Sequence, residues 1–600
     1  MSKKAKLLTG MLSVAAVLLV AFVYYYVVLP PINIHAPGFW IFVIVLAAVF
    51  TGVVGLCSMT MTEYYKEWAG RQWKQSKPEF KSKKAERFFY LCAILTAALV
   101  VIFLIGGLLS SEIVNASAYQ KLLNVETRSF TDDIHEVSYD QIPVLDKDSA
   151  TTIGNRVMGT MVDMVSQFEV SDMYTQINYQ NKPVRVTPLQ YGSLIKWFTN
   201  HGDGIPAYIR IDMTTQEAEC VRLEQKIRYS MSDHFGRNIY RHLRFAYPTY
   251  MFDDISFEID ESGTPYWICP VKKYNIGLFG GVTIGRVVLC NAVTGEMTDY
   301  AVEDVPQWVD RVYSADMLIS LYDYHGTLKH GYFNSVLSQK DCLVTTDGYN
   351  YIALDDDVWV YTGITSVGQD KSNVGFVLMN QRTMETRYYV ISGAEENSAM
   401  SSAEGKVQHL GYKATFPLLI NVGGQPTYFM ALKDSSGLVK SYAMLNIEKY
   451  QTVAIGDSVN ECEKNYRQLM VDSGIVDETA AETPKESRQI TGRIELTGEI
   501  HLLSSATDIS QSQLVEMKIA AFSPVSSRPD FTTVIFAGVT ESASTLSFCV
   551  TAIVRRVPPS PSKMMKPVRS SPVLFSSMER KIRTRPRSPS VWVRWIHSST

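Results

Sequence analysis

Three uncharged apolar runs, Leu7 to Leu29, Phe39 to Ser58 and Phe88 to Ser111, stand at the start of the chain. A helix rises about 1.5 Å per residue and the hydrocarbon core of a bilayer is about 30 Å thick, so each run is long enough to cross. The pattern predicts a three-helix transmembrane anchor over residues 1–111. The first run exceeds the roughly 7–15 apolar residues of a secretory signal core, and no small-residue cleavage site follows it, so a retained anchor is expected.

Beyond a connector at 112–148 the periodicity changes. Ile153, Val157, Met161, Val165 and Phe168 recur at spacings of four and three, which predicts one helix with an apolar face. From Asn181 short alternating strands rich in tyrosine and tryptophan follow, with helices expected over Leu189–Asn200, Asp233–Phe245 and Ala394–His409. The strands lack the regular strand–helix rhythm of a parallel sheet. The expected fold class is therefore α+β: three transmembrane helices, then tandem small units of antiparallel sheet plus helix.

Two short patterns recur. Gly204-Ile-Pro206, Gly263-Thr-Pro265 and Gly424-Gln-Pro426 each lead into an aromatic-rich strand, and apolar strands end in Asn291, Asn380 and Asn446 before a turn. Trp359-Val-Tyr361 opens a more degenerate copy. The recurrence predicts about four related units between residues 150 and 460. We place the first at 149–250, the second at 251–340, and the third and fourth at 341–470, with a linker and tail at 471–600.

Charge supplies the orientation. Lys3, Lys4 and Lys6 precede the first helix, the loop Pro30–Gly38 is uncharged, and the loop before the third helix holds Lys66, Arg71, Lys74, Lys77, Lys81, Lys83, Lys84 and Arg87. Lysine and arginine stay cytoplasmic, so the N-terminus and the basic loop 59–87 are expected inside and everything after Ser111 outside. Localisation in a plasma membrane as a multi-pass protein follows, with the lipid bilayer as partner. The overall charge is only −3, from 57 basic and 60 acidic residues, so no global field points to nucleic acid.

The run Gly263-Thr-Pro-Tyr-Trp-Ile-Cys-Pro-Val and the later Gly285-Arg-Val-Val-Leu-Cys-Asn-Ala-Val-Thr-Gly-Glu-Met resemble the PepSY module of secreted-protease propeptides and membrane-anchored bacterial envelope proteins. The resemblance covers about 40 residues well. It implies a helix packed on a small antiparallel sheet and a non-catalytic binding or regulatory role in the cell envelope, with an envelope protease or wall enzyme as partner. It carries no catalytic residue across.

Catalytic chemistry has little footing in the sequence. It contains no HExxH, GxSxG, GxxxxGK[ST] or GxGxxG. No catalytic, cofactor-binding or metal-ligating residue is assigned, and no cofactor is expected. His325 and His330 are spaced for neither a helical nor a strand metal pair. Asp355, Asp356 and Asp357, after Asp347 and Asn350, lack the spacing of a calcium loop and predict a solvated turn. Gly277, Gly280, Gly281 and Gly285 predict a hairpin bend. Cysteine has no CxxC pair; Cys269 and Cys290 are candidates for a cross-hairpin disulfide. The alternative function is an envelope hydrolase. In it Tyr266, Trp267, Trp308, Trp359, Tyr361, Tyr388 and Tyr389 would line a glycan or peptide groove, and Glu258, Asp260, Glu303 or Asp304 would supply acid and base.

Composition changes near the end. No tyrosine follows Tyr466, the last 100 residues hold 20 serines and 9 prolines, and 551–600 carries 11 basic residues against one acid, Glu579. Such a tail is expected to be disordered. A shifted reading frame after about residue 490 would produce the same change.

Overall fold

The computed structural model describes residues 3–68, 71–134, 142–354, 356–368 and 372–476, and three short strands further on. The chain divides into two compact units, Met1–Glu482 and Thr483–Thr600.

The first unit opens with α1 (Lys3–Val28), α2 (Pro37–Ser58) and α3 (Lys83–Leu109). Among the described residues α2 and α3 are long and apolar enough to cross a membrane, with mean hydropathy 2.6 and 2.9. The expectation of three such helices is corrected to two. α1 opens on Lys3, Lys4 and Lys6, and its described apolar stretch, Val17–Val28, is shorter. Leu56, Ile94 and Leu104 point outward, as in a helix whose solvent is lipid. Gly55 lets the Phe89 ring lie against the α2 backbone, and Thr51 meets Thr96 at 3.1 Å, the small-residue and hydroxyl contacts by which membrane helices associate. The basic loop is an antiparallel hairpin rather than a plain connector: β1 (Met59–Trp68) pairs with β2 (Arg71–Phe80).

The connector is also structured. It carries α4 (Glu112–Gln120), β3 (Val125–Arg128) and α5 (Phe130–Asp133), and β3 joins the third sheet described below by a parallel pairing.

Four helix-and-sheet units follow. In the first, α6 (Lys147–Thr160) is capped by Asp146, whose carboxylate accepts from the Ser149 amide at 2.9 Å. β4 (Phe168–Val170), β5 (Thr175–Tyr179), β6 (Lys182–Tyr191), α7 (Leu194–Asn200), β7 (Ile205–Asp212) and β8 (Ala218–Ile227) complete it. Two expected helices are shorter than their apolar periodicity. α6 closes with Met161 bonding back to Met158, so Val165 lies outside it and Phe168 opens β4; Leu189 to Tyr191 belong to β6, so α7 starts only after them.

The second unit is α8 (Ile239–Ala246) with β9 (Ser256–Ile259), β10 (Pro265–Ile276), β11 (Gly280–Asn291) and β12 (Met297–Ala301). The third is α9 (Ala315–Thr327) with β13 (Leu343–Thr345), β14 (Asn350–Leu354), β15 (Asp357–Ser366), β16 (Ser372–Asn373), β17 (Gly375–Asn380) and β18 (Thr386–Tyr389). The fourth has β19 (Gly393–Ala394), α10 (Glu396–Lys406), β20 (Lys413–Ala414), β21 (Leu418–Val422), β22 (Gln425–Lys433), β23 (Val439–Asn446), β24 (Val453–Gly456) and α11 (Val459–Asp472).

One hydrogen-bond pattern occurs in all four sheets. The residue after Asp212, Asn291, Asn380 and Asn446 donates its amide to the carbonyl of Pro183, Pro265, Val358 and Pro426 respectively, at 3.0 to 3.4 Å. Each of these four side chains then accepts from the amides two and three residues on, at 2.8 to 3.0 Å, closing the turn. In three of them a threonine hydroxyl accepts from the amide of Glu217, Glu296 or Glu385 two residues later. Pro265 and Pro426 therefore occupy matching turns. Gly204-Ile-Pro206 does not: it opens the third strand of its meander, and the position matching Pro265 is Pro183.

Consecutive sheets share their cores. Ile209 and Phe257 belong to one cluster, Val287, Leu289, Val360 and Met379 to another, and Tyr361, Phe376, Phe429 and Met444 to a third. Cys269 and Cys290 are buried free thiols in this core, not a disulfide; the register sets Cys290 opposite Trp267 and Cys269 opposite Val288.

In the second compact unit β25 (His501–Leu503), β26 (Cys549–Ile553) and β27 (Ser590–Trp592) form an antiparallel sheet. The rest of the tail expectation falls outside the described residues.

Candidate anion-binding cavity

A cavity of about 340 Å³ opens where the first, third and fourth sheets meet the end of the connector. That volume suits a small ligand. The fourth unit supplies an apolar wall from Phe416, Leu418, Phe429 and Met430, and the first and third supply polar groups.

Arg185 dominates the polar wall. It lies in β6 between Val184 and Val186, in a strand buried on both faces, and is itself only 5% exposed. Gln176 lies opposite it on β5, and its side-chain oxygen accepts from the guanidinium at 3.3 Å. No carboxylate pairs with Arg185 among the described residues; its Nε and the Gln176 amide nitrogen have no protein partner. Burial pulls the guanidinium below its ordinary pKa, yet arginine stays charged. Leaving one charge of a buried pair uncompensated typically costs about 3–5 kcal/mol.

Tyr351, Asp146, Tyr349 and Asp148 lie near enough to favour the charged form, but less than burial opposes it, and none of them is hydrogen-bonded to the guanidinium among the described residues. Asp146 lines the cavity but is already engaged by the Lys433 ammonium and by the cap of α6, which hold its carboxyl below the usual range against the opposing effect of burial. Arg311 reaches the same cavity; its backbone amide donates to Glu258 at 3.1 Å, and its side chain has no hydrogen-bond partner among the described residues. Tyr349 and Tyr351, stacked edge to face at 5.6 Å, line the same space. The arrangement is a donor-rich wall facing an apolar one, suited to an anion with an apolar body.

Beside it lies a buried carboxyl pair. Glu258, from β9, accepts from the amides of Asp310 and Arg311 and from the Ser256 hydroxyl; Asp310 accepts from the Asn178 amide at 2.7 Å. The other Asp310 oxygen has no partner. Burial raises Glu258 to about 7, and burial reinforced by Glu258 raises Asp310 well above the carboxylate range. Both carboxyls are enclosed, and Glu258 braces the loop that carries Arg311.

The groove expected for a hydrolase is not formed. Trp267, Trp359, Tyr361 and Tyr389 are core residues, Tyr266 and Trp308 pack on each other at 5.1 Å, and Tyr388 packs against the second and third sheets. Of the carboxylates set against them, Glu258 is buried, Asp260 holds its own turn through the Ser262 and Thr264 amides, and Glu303 and Asp304 lie exposed in a short 3-10 turn. Asp357 is not in a solvated turn: it is buried, with Arg382 at 2.6 Å and Asn380 at 2.8 Å. His325 is half-buried in α9 and His330 faces Asp341 at 3.1 Å; the described residues hold no cluster of metal-ligating type. Gly277 and Gly281 take positive φ at the β10–β11 bend, the turn geometry expected of them.

Arg185 and Arg311 were not singled out from the sequence. The one available signal was a lone arginine inside the otherwise apolar and hydroxylated stretch Pro183-Val-Arg-Val-Thr-Pro188. Comparison of the chain with family models, curated proteins and solved structures found no match.

Proposed function

We propose that the chain is a non-catalytic, membrane-anchored binding protein of a bacterial cell envelope. Its apolar helices α2 and α3 anchor four related PepSY-like units outside the cytoplasm, and those units together bind a small anion. The lysines that open α1 and the lysines and arginines filling 59–87 support the orientation. The shared turn geometry of the four sheets supports their kinship.

The observation that carries the binding role is the buried Arg185 guanidinium with no carboxylate partner, set in a cavity with a second arginine. A bound anion would recover the cost of burying that charge, which gives affinity for the charged ligand over its neutral analogue. The test uses the full chain in detergent with a panel of small carboxylates, sulfonates and phosphates bearing apolar groups, beside their neutral amides and alcohols. At least one anion should raise the melting midpoint of the wild type and leave Arg185→Met unmoved. If no anion stabilises the wild type more than the variant, the reading fails. An envelope protein partner is tested separately, by capture on the full chain with envelope extract.

A further inference from the structure

α8, in the second unit, packs against the end of α1. Arg241 stacks on Tyr26 at 4.6 Å, Phe245 meets Tyr25 at 6.4 Å, and the Arg244 side chain donates to the Leu29 carbonyl at 2.9 Å. Arg241 and Phe245 are one turn apart on α8, whereas Tyr25 and Tyr26 are neighbours on α1. α8 therefore packs on the end of α1. Its exposed face carries Phe245 and Tyr240, and the turn just before it carries Phe235. Trp197 links that turn to α7, with Phe235 at 6.0 Å and Phe198 at 6.3 Å, and there Leu194, Ile195 and Phe198 are 65%, 77% and 71% exposed.

A second contact fixes the depth. The tip of the β10–β11 hairpin is pressed into the bundle: the Ser110 hydroxyl accepts from the Leu278 and Phe279 amides at 2.8 and 3.1 Å, and Phe279 packs on Phe103 at 5.3 Å and Trp40 at 6.3 Å. Phe103 lies six residues before the end of α3, so the tip reaches about 9 Å along that helix. Beside the hairpin, Ile276 packs with Leu328 and Tyr332, and the following segment exposes Phe333, Val336 and Leu337 at 70%, 54% and 78%.

We propose that the two apolar patches, Leu194/Ile195/Phe198/Phe235 and Phe333/Val336/Leu337, are feet that seat the sheet units on the bilayer surface. Their occupant is the headgroup and upper acyl region of the membrane that α2 and α3 cross, and the inference rests on that membrane reading. Aromatic and aliphatic side chains beside basic ones suit this interface, and Lys196, Arg237, Lys329 and Lys340 flank the patches. Such seating would hold the anion cavity at a fixed height above the lipid.

The test places the full chain in nanodiscs, with Cys57, Cys220 and Cys549 replaced by serine, and attaches an environment-sensitive fluorophore to one introduced cysteine at a time. The sites are Ile195, Leu337, Leu95 on the lipid-facing side of α3, and Ser435 in the β22–β23 turn. The expected result is blue-shifted emission, quenched by lipid-borne spin labels, at 95, 195 and 337, and iodide-quenched aqueous emission at 435. Lipid quenching at 95 with aqueous behaviour at 195 or 337 overturns the seating alone. Aqueous behaviour at 95 overturns the membrane reading and the seating with it.

Discussion

Replacing Arg185 by methionine inverts the usual effect of removing a buried side chain. Methionine keeps much of the stem volume and deletes the charge. In the wild type that charge has one 3.3 Å bond, to a neutral amide, and no carboxylate partner among the described residues. An uncompensated buried charge costs about 3–5 kcal/mol, so its removal should stabilise the empty protein by about 2–3 kcal/mol after some loss of packing. In a large cooperative unit this is a rise of several degrees in melting midpoint. A bound anion should reverse the order at high concentration, because ligand at about 1,000 times its Kd stabilises the wild type by about 4.1 kcal/mol and leaves the variant unaffected. Differential scanning calorimetry of both proteins, with and without the best anion of the panel, reads both signs. An Arg185→Met protein less stable than the wild type without ligand would refute the idea that the guanidinium is held at a cost.

The Glu258–Asp310 pair should make the wild type lose a few kcal/mol as pH rises from about 4.5 through 7, since carboxyls raised on folding stabilise fully below their unfolded pKa and lose that contribution above it; denaturant titrations at several pH values should show Asp310→Asn with a shallower loss. Gly280→Ala should push the hairpin tip off the bundle, because the new Cβ would overlap the Ser110 carbonyl oxygen; a Phe103→Cys/Phe279→Cys pair should cross-link readily in the parent and poorly with this change. A membrane-impermeant thiol reagent should modify a cysteine placed at Gly38 or Ser435 in intact cells and spare one at Ser76; labelling at Ser76 alone reverses the orientation. A chain ending at Glu482, the boundary of the first compact unit, should melt within a degree or two of the full chain, and a large drop would make the tail part of that fold.

Two of the three apolar runs were readable as helices long enough to cross a bilayer, because that is a length requirement a stretch of sequence meets or fails by itself; the first run falls short among the described residues. Local turns were readable for a similar reason. The asparagines that close strands act on amides two and three residues away, so Asn291, Asn380 and Asn446 announce their turns, and positive φ at Gly263 and Gly424 follows from their place before a strand. Periodicity misled where tertiary pairing competed: Leu189 to Tyr191 fit a helical face but gain more as strand residues opposite Phe168 to Val170. The sequence also spread its aromatics as if for a groove. Packing of consecutive sheets against one another buried Trp267, Trp359 and Tyr361 instead.

Residue type and near-neighbour spacing thus determined the long apolar helices, the mixed α and β character and the strand-ending turns, all of which depend on forces acting within a few residues. Only the tertiary structure decided the cavity and the exposed apolar patches. Arg185, Arg311 and Phe416 are separated by more than a hundred residues at each step, and α8 and the β10–β11 tip meet the N-terminal helices through contacts that no local pattern encodes. Whether a buried arginine has a carboxylate partner, and which face of a helix is left uncovered, is settled by what distant strands bring beside it.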